Sequence, residues 1–267
     1  MKKVIQFNSS QIVEFENEII AGISLDFKAL TNVPALALIN DLSKISLDIF
    51  VKKARKKEYL VQTTLNKCLI EKFEGTEITK EVFKEGNTSS YRVIVGFSGA
   101  IQLHKGETIE VKCYAQNTSF TGLVTSTSEI TIESVPSIVP TQYVDKVEIV
   151  PIEVGATVID KPLGNDVKKI IFATQLDPLG DDYATHTLAK ITDVDMDANG
   201  FKKNISGDLL LTENQMASSV LGDLSAIKNL KVYDSRVSLN DVRLRLRLDK
   251  GTLVNHCLIV TRRISLV

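Results

Sequence analysis

The segment Val242-Arg-Leu-Arg-Leu-Arg-Leu248 decides the fold class, because apolar and cationic residues alternate through it without a break. In an extended chain its four apolar side chains would face one side and its three arginines the other. A period of two is the pattern of a β-strand that is buried on one face. We therefore expect a half-buried strand with a cationic outer face.

Strand patterns continue on both sides of this segment. Asp249-Lys-Gly251 is a turn signal, and the apolar stretch Leu253–Val267 after it predicts that the chain ends in an antiparallel hairpin. Short β-branched and aromatic runs between polar turns predict further strands. These are Ile45–Val51, Tyr91–Phe97, Thr108–Ala115, Ser128–Glu133, Val144–Pro151 and Lys168–Ala173.

Helical patterns are few and short. Apolar residues at helical spacing predict one helix that starts near Thr63 or Thr64 and runs to Phe73. A capping-box pattern at Thr212–Gln215 predicts a second helix, which continues past Gly222 to Ile227. Because strands outnumber helices and long helical crossovers are missing, we expect an all-β sandwich or barrel with decorating helices.

The composition is that of an ordinary globular protein. The chain has 267 residues, of which 43% are hydrophobic and 24% charged, and its formal net charge is -1. These values argue against disordered, collagenous and disulfide-scaffold classes, and against a whole-protein electrostatic grip on nucleic acid. Three dispersed cysteines favour free thiols, and no apolar run is long enough for a membrane-spanning helix or an export signal.

The segment Ser134-Val-Pro-Ser-Ile-Val-Pro140 is the predicted connector between two halves, because two closely spaced prolines do not fit a central strand. We expect domains at residues 1–138 and 139–267. Two weak internal similarities favour a duplication. They pair residues 40–50 with 165–172, and the two strands within 107–133 with the two strands within 241–262.

The pattern Asp193-Val-Asp-Met-Asp-Ala-Asn-Gly200 resembles the start of a calcium loop, with oxygen ligands at alternate positions before a glycine. When Asp195 is taken as the first ligand, Ser206 occupies the twelfth position, where such a loop requires a bidentate glutamate. We therefore favour a hairpin turn at Asn199-Gly200 and expect no cofactor. A calcium site is the alternative, with the candidate ligands Asp193, Asp195, Asp197 and Asn199.

Two cationic surfaces are candidate contacts with other subunits. One is a run between a predicted strand and a predicted helix, formed by Lys52, Lys53, Arg55, Lys56 and Lys57. It lacks interleaved aromatic residues for base stacking, so solvent or an acidic protein surface is its expected partner. The other is the arginine stripe, formed by Arg243, Arg245 and Arg247. Its alternative role is a charged strand face that resists edge pairing.

The sequence carries no catalytic signature such as GxSxG, HExxH, Walker A or GxGxxG. His186 follows Asp181 and Asp182 in a predicted loop, where a single histidine is normally just exposed. His256 and Cys257 are neighbours on a predicted strand and would point to opposite faces, so they cannot form a catalytic pair. We predict that the protein is not an enzyme.

Two β-rich halves, a proline-bearing connector and the missing catalytic signature together suggest a family. The chain resembles the double jelly-roll major capsid proteins of tailless, lipid-containing icosahedral phages, of the corticovirus and Flavobacterium-infecting lipid-phage type. Lys44–Val51, the basic turn and Leu60–Phe73 are similar to the early strand, turn and short helix of those proteins. Leu230–Leu248 and Asn255–Arg263 resemble their C-terminal strands, and the similarity extends over most of the chain.

This resemblance implies two jelly-roll β-sandwiches in tandem, with short decorating helices. It implies a structural protein that forms the icosahedral shell of a bacteriophage as pseudo-hexagonal homotrimers. The implied partners are neighbouring capsomers, minor capsid proteins and an internal lipid membrane, without sequence-specific binding of nucleic acid. The implied location is the virion, after synthesis in the host cytoplasm.

Two other classes stay open. One is a two-domain β-sandwich binding module, such as a phage attachment protein or a glycan-binding protein. The absence of tryptophan and an aromatic content of 6% argue against it, since sugar platforms usually use exposed aromatic rings. The other is a hydrolase on a β scaffold, for which no nucleophile and base are recognisable.

Overall fold

A computed structural model describes most of the chain. The described residues are 2–6, 11–30, 44–53, 56–65, 67–68, 71, 82–85, 88–115, 129–173, 191–207, 209–210, 231–252 and 256–266. Within them, strands dominate, and helical backbone is confined to a few positions. The α-helical positions are Leu65, Lys67, Cys68, Glu71, Gly207, Leu209 and Leu210, and Lys44 has 3₁₀-helical backbone.

The strands of the described residues fall into two groups along the chain. The first group is β1 (Lys2–Gln6), β2 (Ile12–Glu16), β3 (Ile19–Leu30), β4 (Ile45–Lys53), β5 (Lys56–Thr64), β6 (Val82–Glu85), β7 (Thr88–Gln102), β8 (Thr108–Ala115) and β9 (Glu129–Pro136). The second group is β10 (Tyr143–Pro151), β11 (Val158–Gly164), β12 (Val167–Ala173), β13 (Ile191–Ala198), β14 (Phe201–Ser206), β15 (Lys231–Leu239), β16 (Val242–Leu248) and β17 (Cys257–Ser265).

The chain forms two compact units. Unit 1 comprises Met1–Lys72, Ile78–Val147 and Ile264–Val267, and unit 2 comprises Phe73–Glu77 and Glu148–Arg263. In unit 1, one sheet has the strand order β1-β9-β3-β7-β6, and the other contains β2-β8-β4-β5 followed by the first half of β10. In unit 2, one sheet has the order β10-β17-β12-β15 and the other the order β11-β16-β13-β14.

The strand order of the second group repeats that of the first. In each group, one sheet contains the first strand, then the last strand beside it, and then the third strand. The second, fourth and fifth strands of the group belong to the opposite sheet. Most successive strands thus lie in opposite sheets, as in the two Greek keys of a jelly roll. The chain is therefore all-β, with two jelly rolls in tandem, as predicted.

The core of unit 2 joins both of its sheets. Ile170 and Val260 from one sheet belong to the same buried cluster as Val194, Leu244 and Leu246 from the other. Burying such side chains stabilises the fold by about 1.5–3 kcal/mol each. This shared cluster makes unit 2 a β-sandwich and directs the opposite face of β16 to solvent.

All six strands predicted outside the C-terminal region are confirmed, as β4, β7, β8, β9, β10 and β12. The first predicted helix is also confirmed within the described residues, since helical backbone begins at Leu65 directly after β5. The second predicted helix, from Thr212 to Ile227, lies outside the described residues.

The predicted C-terminal hairpin is wrong, because β16 and β17 belong to different sheets of unit 2. The chain does not turn back on β16 after Leu248. Instead Thr252 is buried against the loop between β10 and β11, where its hydroxyl donates to the carbonyl of Glu153 and its own carbonyl accepts from Gly155 N–H at 2.8 Å. β17 then pairs with β12, in register from Ala173 opposite Cys257.

The predicted connector is only partly correct, because Ser134–Pro136 form the end of β9 and pair with β3, and only Ser137–Pro140 lie in the irregular segment before β10. By strand order, the second jelly roll begins with β10, whereas the contacts divide the chain at Val147/Glu148, inside that strand. The first half of β10 groups with unit 1 because Val147 is paired with Val61 of β5. The boundary between residues 138 and 139 stays a prediction.

The two internal similarities have different outcomes. The similarity between 107–133 and 241–262 matches β8 and β9 with β16 and β17, which hold equivalent places in the strand order. The similarity between 40–50 and 165–172 matches β4 with β12, which do not. In the strand order, β4 is equivalent to β13, so this second similarity is wrong and reflects only polar residues that precede an apolar strand in each sequence.

Candidate functional site

The arginine stripe lies on the solvent face of β16, as its alternation predicts. The four apolar residues Val242, Leu244, Leu246 and Leu248 are buried, while the three arginines between them are exposed. The strand is central in its sheet, with β11 on one side and β13 on the other. The surroundings of the stripe are therefore set by the solvent faces of those two strands.

The aspartates of β13 lie directly beside the arginine stripe. Asp193 is in register with Arg247, Asp195 with Arg245, and Asp197 with Arg243. On the other side, Asp160 of β11 is in register with Arg245. Directly opposite residues of neighbouring antiparallel strands have Cβ atoms about 4.5–5.5 Å apart, so opposite charges there attract.

Two ion pairs join β16 to its neighbours β11 and β13. Arg243 makes a bidentate contact with Asp160, with its Nε donating at 2.8 Å and its Nη2 at 2.9 Å. The hydrogen bond from Arg243 lowers the pKa of the Asp160 carboxyl, and it is a larger cause than the attraction of Arg243 and Arg245. Arg247 Nη2 lies 3.7 Å from Asp195 Oδ2. The positive charge of the stripe is thus balanced within its own sheet.

The candidate calcium residues belong to this hairpin and not to a curved loop. Asn199 and Gly200 form the turn between β13 and β14, with φ of 52° and 77°. Two successive positive φ values are those of a two-residue hairpin turn, so the predicted turn is confirmed. Asp195 Oδ1 accepts a hydrogen bond from Asn204 Nδ2 at 2.6 Å. Among the described residues, no group of acidic, histidine or cysteine side chains is placed to hold a metal ion.

The lysine-rich run is the tip of the hairpin between β4 and β5, so its predicted place between a strand and a helix is wrong. The segment that follows the run is a strand, in which Val61 pairs with Ile49 of β4. Lys53 pairs with Lys56 across this tip, and Arg55 lies outside the described residues. We call Lys52–Lys57 the basic hairpin.

The lysines of the basic hairpin are partly matched within unit 1. Lys52 Nζ lies 3.7 Å from Glu110 Oε1, and Lys56 Nζ lies 3.8 Å from Glu58 Oε2. Lys57 Nζ lies 3.3 Å from the centre of the Phe50 ring, within cation–π distance. These contacts hold the lysine side chains against the sheet.

A cavity of about 340 Å³ opens beside the basic hairpin. It is lined by Val51, Lys53, Lys56, Glu58, Glu107 and Leu266. Lys146 Nζ donates to Glu58 Oε1 at 2.9 Å next to it. Because two lysines and two glutamates line the cavity, its surface does not carry charges of a single sign, as a site that selects a phosphate or a metal ion would.

The remaining reactive side chains form no catalytic group among the described residues. His104 is exposed in a turn, His256 is buried, and His186 lies outside the described residues. All three cysteines are free and buried. Burial raises the pKa of the Cys113 thiol, which keeps it protonated and unreactive. None of the helices described is long and apolar enough to cross a membrane.

Sequence reasoning missed the acidic partner on β11. The predicted strands do not include Val158–Gly164, which contains Pro162, a residue that is disfavoured in central strands. In the structure this segment is an edge strand, where proline is tolerated. Its alternation of exposed and buried residues around Ile159 and Leu163 is the signal that could have identified it.

Comparison with known proteins gives a match at the level of fold. No protein-family model and no curated protein matches the sequence. The major capsid protein P2 of Bacteriophage PM2 is similar over 99% of this chain and 97% of its own, at 13% identity and a TM-score of 0.54. The major capsid protein of STIV is similar over 99% and 95%, at 11% identity and a TM-score of 0.60.

A chain from the atomic structure of Sulfolobus Turreted Icosahedral Virus is also similar, over 98% of this chain and 88% of its own, at 10% identity and a TM-score of 0.61. Identities this low establish the fold alone. The chain therefore has the fold of these viral major capsid proteins over nearly its whole length.

Proposed function

We propose that this chain is a structural major capsid protein, whose copies form the icosahedral shell of a bacteriophage as pseudo-hexagonal homotrimers. The observation that carries the proposal is that both jelly rolls, in one chain and in the same order, correspond to viral major capsid proteins over nearly the full length. A partial match to one sandwich would have no such weight, because single β-sandwiches serve many functions.

The repeated strand order supports a trimer. Two similar sandwiches per chain and three chains per ring give six similar lobes around a threefold axis, so one trimer fills a nearly hexagonal tile. A closed ring also satisfies head-to-tail contacts without open growth. Neighbouring capsomers, minor capsid proteins and an internal lipid membrane are the proposed partners, and the virion is the proposed location after synthesis in the host cytoplasm.

The basic hairpin is the proposed contact between tiles. It is a hairpin tip with exposed lysines, and its ion pairs with Glu58 and Glu110 are long, at 3.8 Å and 3.7 Å. Exposed pairs of this kind contribute only about 0–1 kcal/mol each. The trimer should therefore depend on apolar area, while contacts between trimers should depend on salt.

Light scattering coupled to size-exclusion chromatography tests the proposal on the full chain. At micromolar concentration we expect the mass of three 29.5 kDa chains in low salt and in about 1 M salt. Larger species that appear in low salt should decrease in high salt and in a Lys53→Glu/Lys56→Glu variant, but not in a Lys105→Glu control. A mass of one chain in both salts would overturn the capsid proposal and favour the two-domain binding module.

A further inference from the structure

The solvent face of the sheet β11-β16-β13-β14 carries its charges in columns, one column per strand. The β11 column holds one aspartate, Asp160, and the β16 column holds three arginines. The β13 column holds three aspartates, and the β14 column holds one lysine, Lys202. Residues that are in register across the four strands form a row of this face. The uncharged residues in these rows are Val158, Pro162, Asn204 and Ser206.

This charge pattern is antisymmetric about the line between β16 and β13. Read from β11 to β14, the columns carry one negative, three positive, three negative and one positive charge. The same columns read from β14 to β11 give the same numbers with every sign reversed. A surface of this kind is electrostatically complementary to a copy of itself in one orientation.

That orientation is fixed by geometry. A twofold axis that runs along the line between β16 and β13, parallel to the strands, lays a second copy face to face and reverses its column order. Each column then meets the column of opposite charge, and residues of one row meet residues of the same row. A twofold axis across the strands would instead place arginines over arginines, which costs free energy.

We propose that this face docks against the same face of a second copy of the chain, related by a twofold axis parallel to the strands. Arg243 then lies opposite Asp197 of the second copy, and Arg247 opposite Asp193 of the second copy. Val158 lies opposite Ser206 of the second copy. The inference rests on the proposed shell function, in which copies meet beyond the trimer, and it assigns this face to one such contact.

The contact contributes little binding free energy, and its main effect is to fix the relative orientation of the two copies. Each column is already neutralised in part within its own sheet, as by the bidentate pair of Arg243 and Asp160. Exposed ion pairs add little affinity, but complementary charges favour one register and exclude others. At about 1 M salt, where the screening length is about 3 Å, the contact is lost.

Crosslinking between two variants, each with one added surface cysteine, tests this orientation. Val158→Cys chains are mixed with Ser206→Cys chains and treated with a short bis-maleimide; the native cysteines are buried and do not compete. Within one chain, residues 158 and 206 lie three strand spacings apart, about 14 Å. We expect a crosslinked dimer from the mixture in low salt, its loss in about 1 M salt, and little dimer from either variant alone.

Charge inversion supplies the decisive control. A variant with all eight charges of the face reversed keeps every attraction within its own sheet. A mixture of the two cysteine variants in which both carry the inverted face should give as much crosslinked dimer as the mixture in which both carry the native face. When only one of the two carries the inverted face, the dimer yield should fall to that of either cysteine variant alone.

Two results would overturn the inference: no dimer in low salt, or a dimer whose yield is unchanged when one partner is inverted. The proposed function fails separately, through the mass of the unmodified chain. If the unmodified chain is a trimer but the cysteine variants do not crosslink, only the docking of this face is overturned. If they crosslink but the unmodified chain forms no trimer, only the trimeric capsomer is overturned.

Discussion

Neighbouring residues of β16 have opposite environments, one packed in the core and the next exposed to solvent. Leu246 is fully buried in the shared core of unit 2, whereas Arg245, its neighbour in sequence, is exposed. A Leu246→Ala variant leaves a cavity and should lower the free energy of unfolding by about 2–5 kcal/mol. Arg245→Ala should change it by less than about 1 kcal/mol. Urea unfolding of the two variants measures both, and similar losses would contradict this account of the core.

Two aspartates should have opposite effects on the pH dependence of stability. Burial raises the pKa of Asp48 despite the attraction of Lys112 and Lys57, whereas Arg243 lowers the pKa of Asp160. Ionised Asp48 therefore costs stability, increasingly as pH rises above the ordinary pKa of 3.8. Ionised Asp160 contributes stability that is present above the ordinary value and lost as pH falls through its lowered pKa.

Amide variants of these residues should therefore shift the melting temperature in opposite directions. At about pH 7, Asp48→Asn should raise it and Asp160→Asn should lower it, while both shifts should shrink toward about pH 2.5 as the carboxyls become protonated. Melting curves of both variants and of the unmodified chain at the two pH values measure this. Shifts of the same sign at neutral pH would contradict the assigned causes.

Among the elements, the β13–β14 hairpin depends on the backbone of its turn. Gly200 has a φ of 77°, and a methyl group there would meet open space, so any cost of Gly200→Ala is conformational. We expect a loss of about 1–2 kcal/mol, since L-residues are strained in the left-handed region. Gly96 of β7 also has open space but no positive φ, so Gly96→Ala should be neutral or stabilising. Equal losses in urea unfolding would rule out a turn effect.

Elements were predictable where the evidence for them is local. The alternation in β16 and the Asn199-Gly200 turn are properties of a few adjacent residues, and both are confirmed. The partners of β16 were not predictable, because Asp160 and Asp195 reach it from distant parts of the chain. The predicted pairing of β16 with β17 failed for the same reason: nearness in sequence favours a hairpin, but in this jelly roll β16 and β17 belong to opposite sheets.

For the whole molecule, calcium should have little effect on thermal stability. Alternate residues of a strand lie about 6.6 Å apart, so the aspartates of β13 cannot converge on an ion that requires oxygens at about 2.3–2.6 Å. We expect millimolar calcium to raise the melting temperature by less than about 5 °C. Magnesium at the same concentration controls for ionic strength. A larger rise with calcium alone would reveal a calcium site.

The pairing of first with last strands also determines when each jelly roll can be completed during synthesis. β1 pairs with β9, so the first jelly roll can close its sheet before the ribosome has made most of the second. β10 lies beside β17, so the apolar edge of β12 that β17 covers stays open until that strand emerges. Because domains fold from the N-terminus during translation, a nascent chain that lacks β17 carries a complete sheet β1-β9-β3-β7-β6 in the first jelly roll and an open sheet in the second. Premature termination before β17 therefore yields an aggregation-prone product.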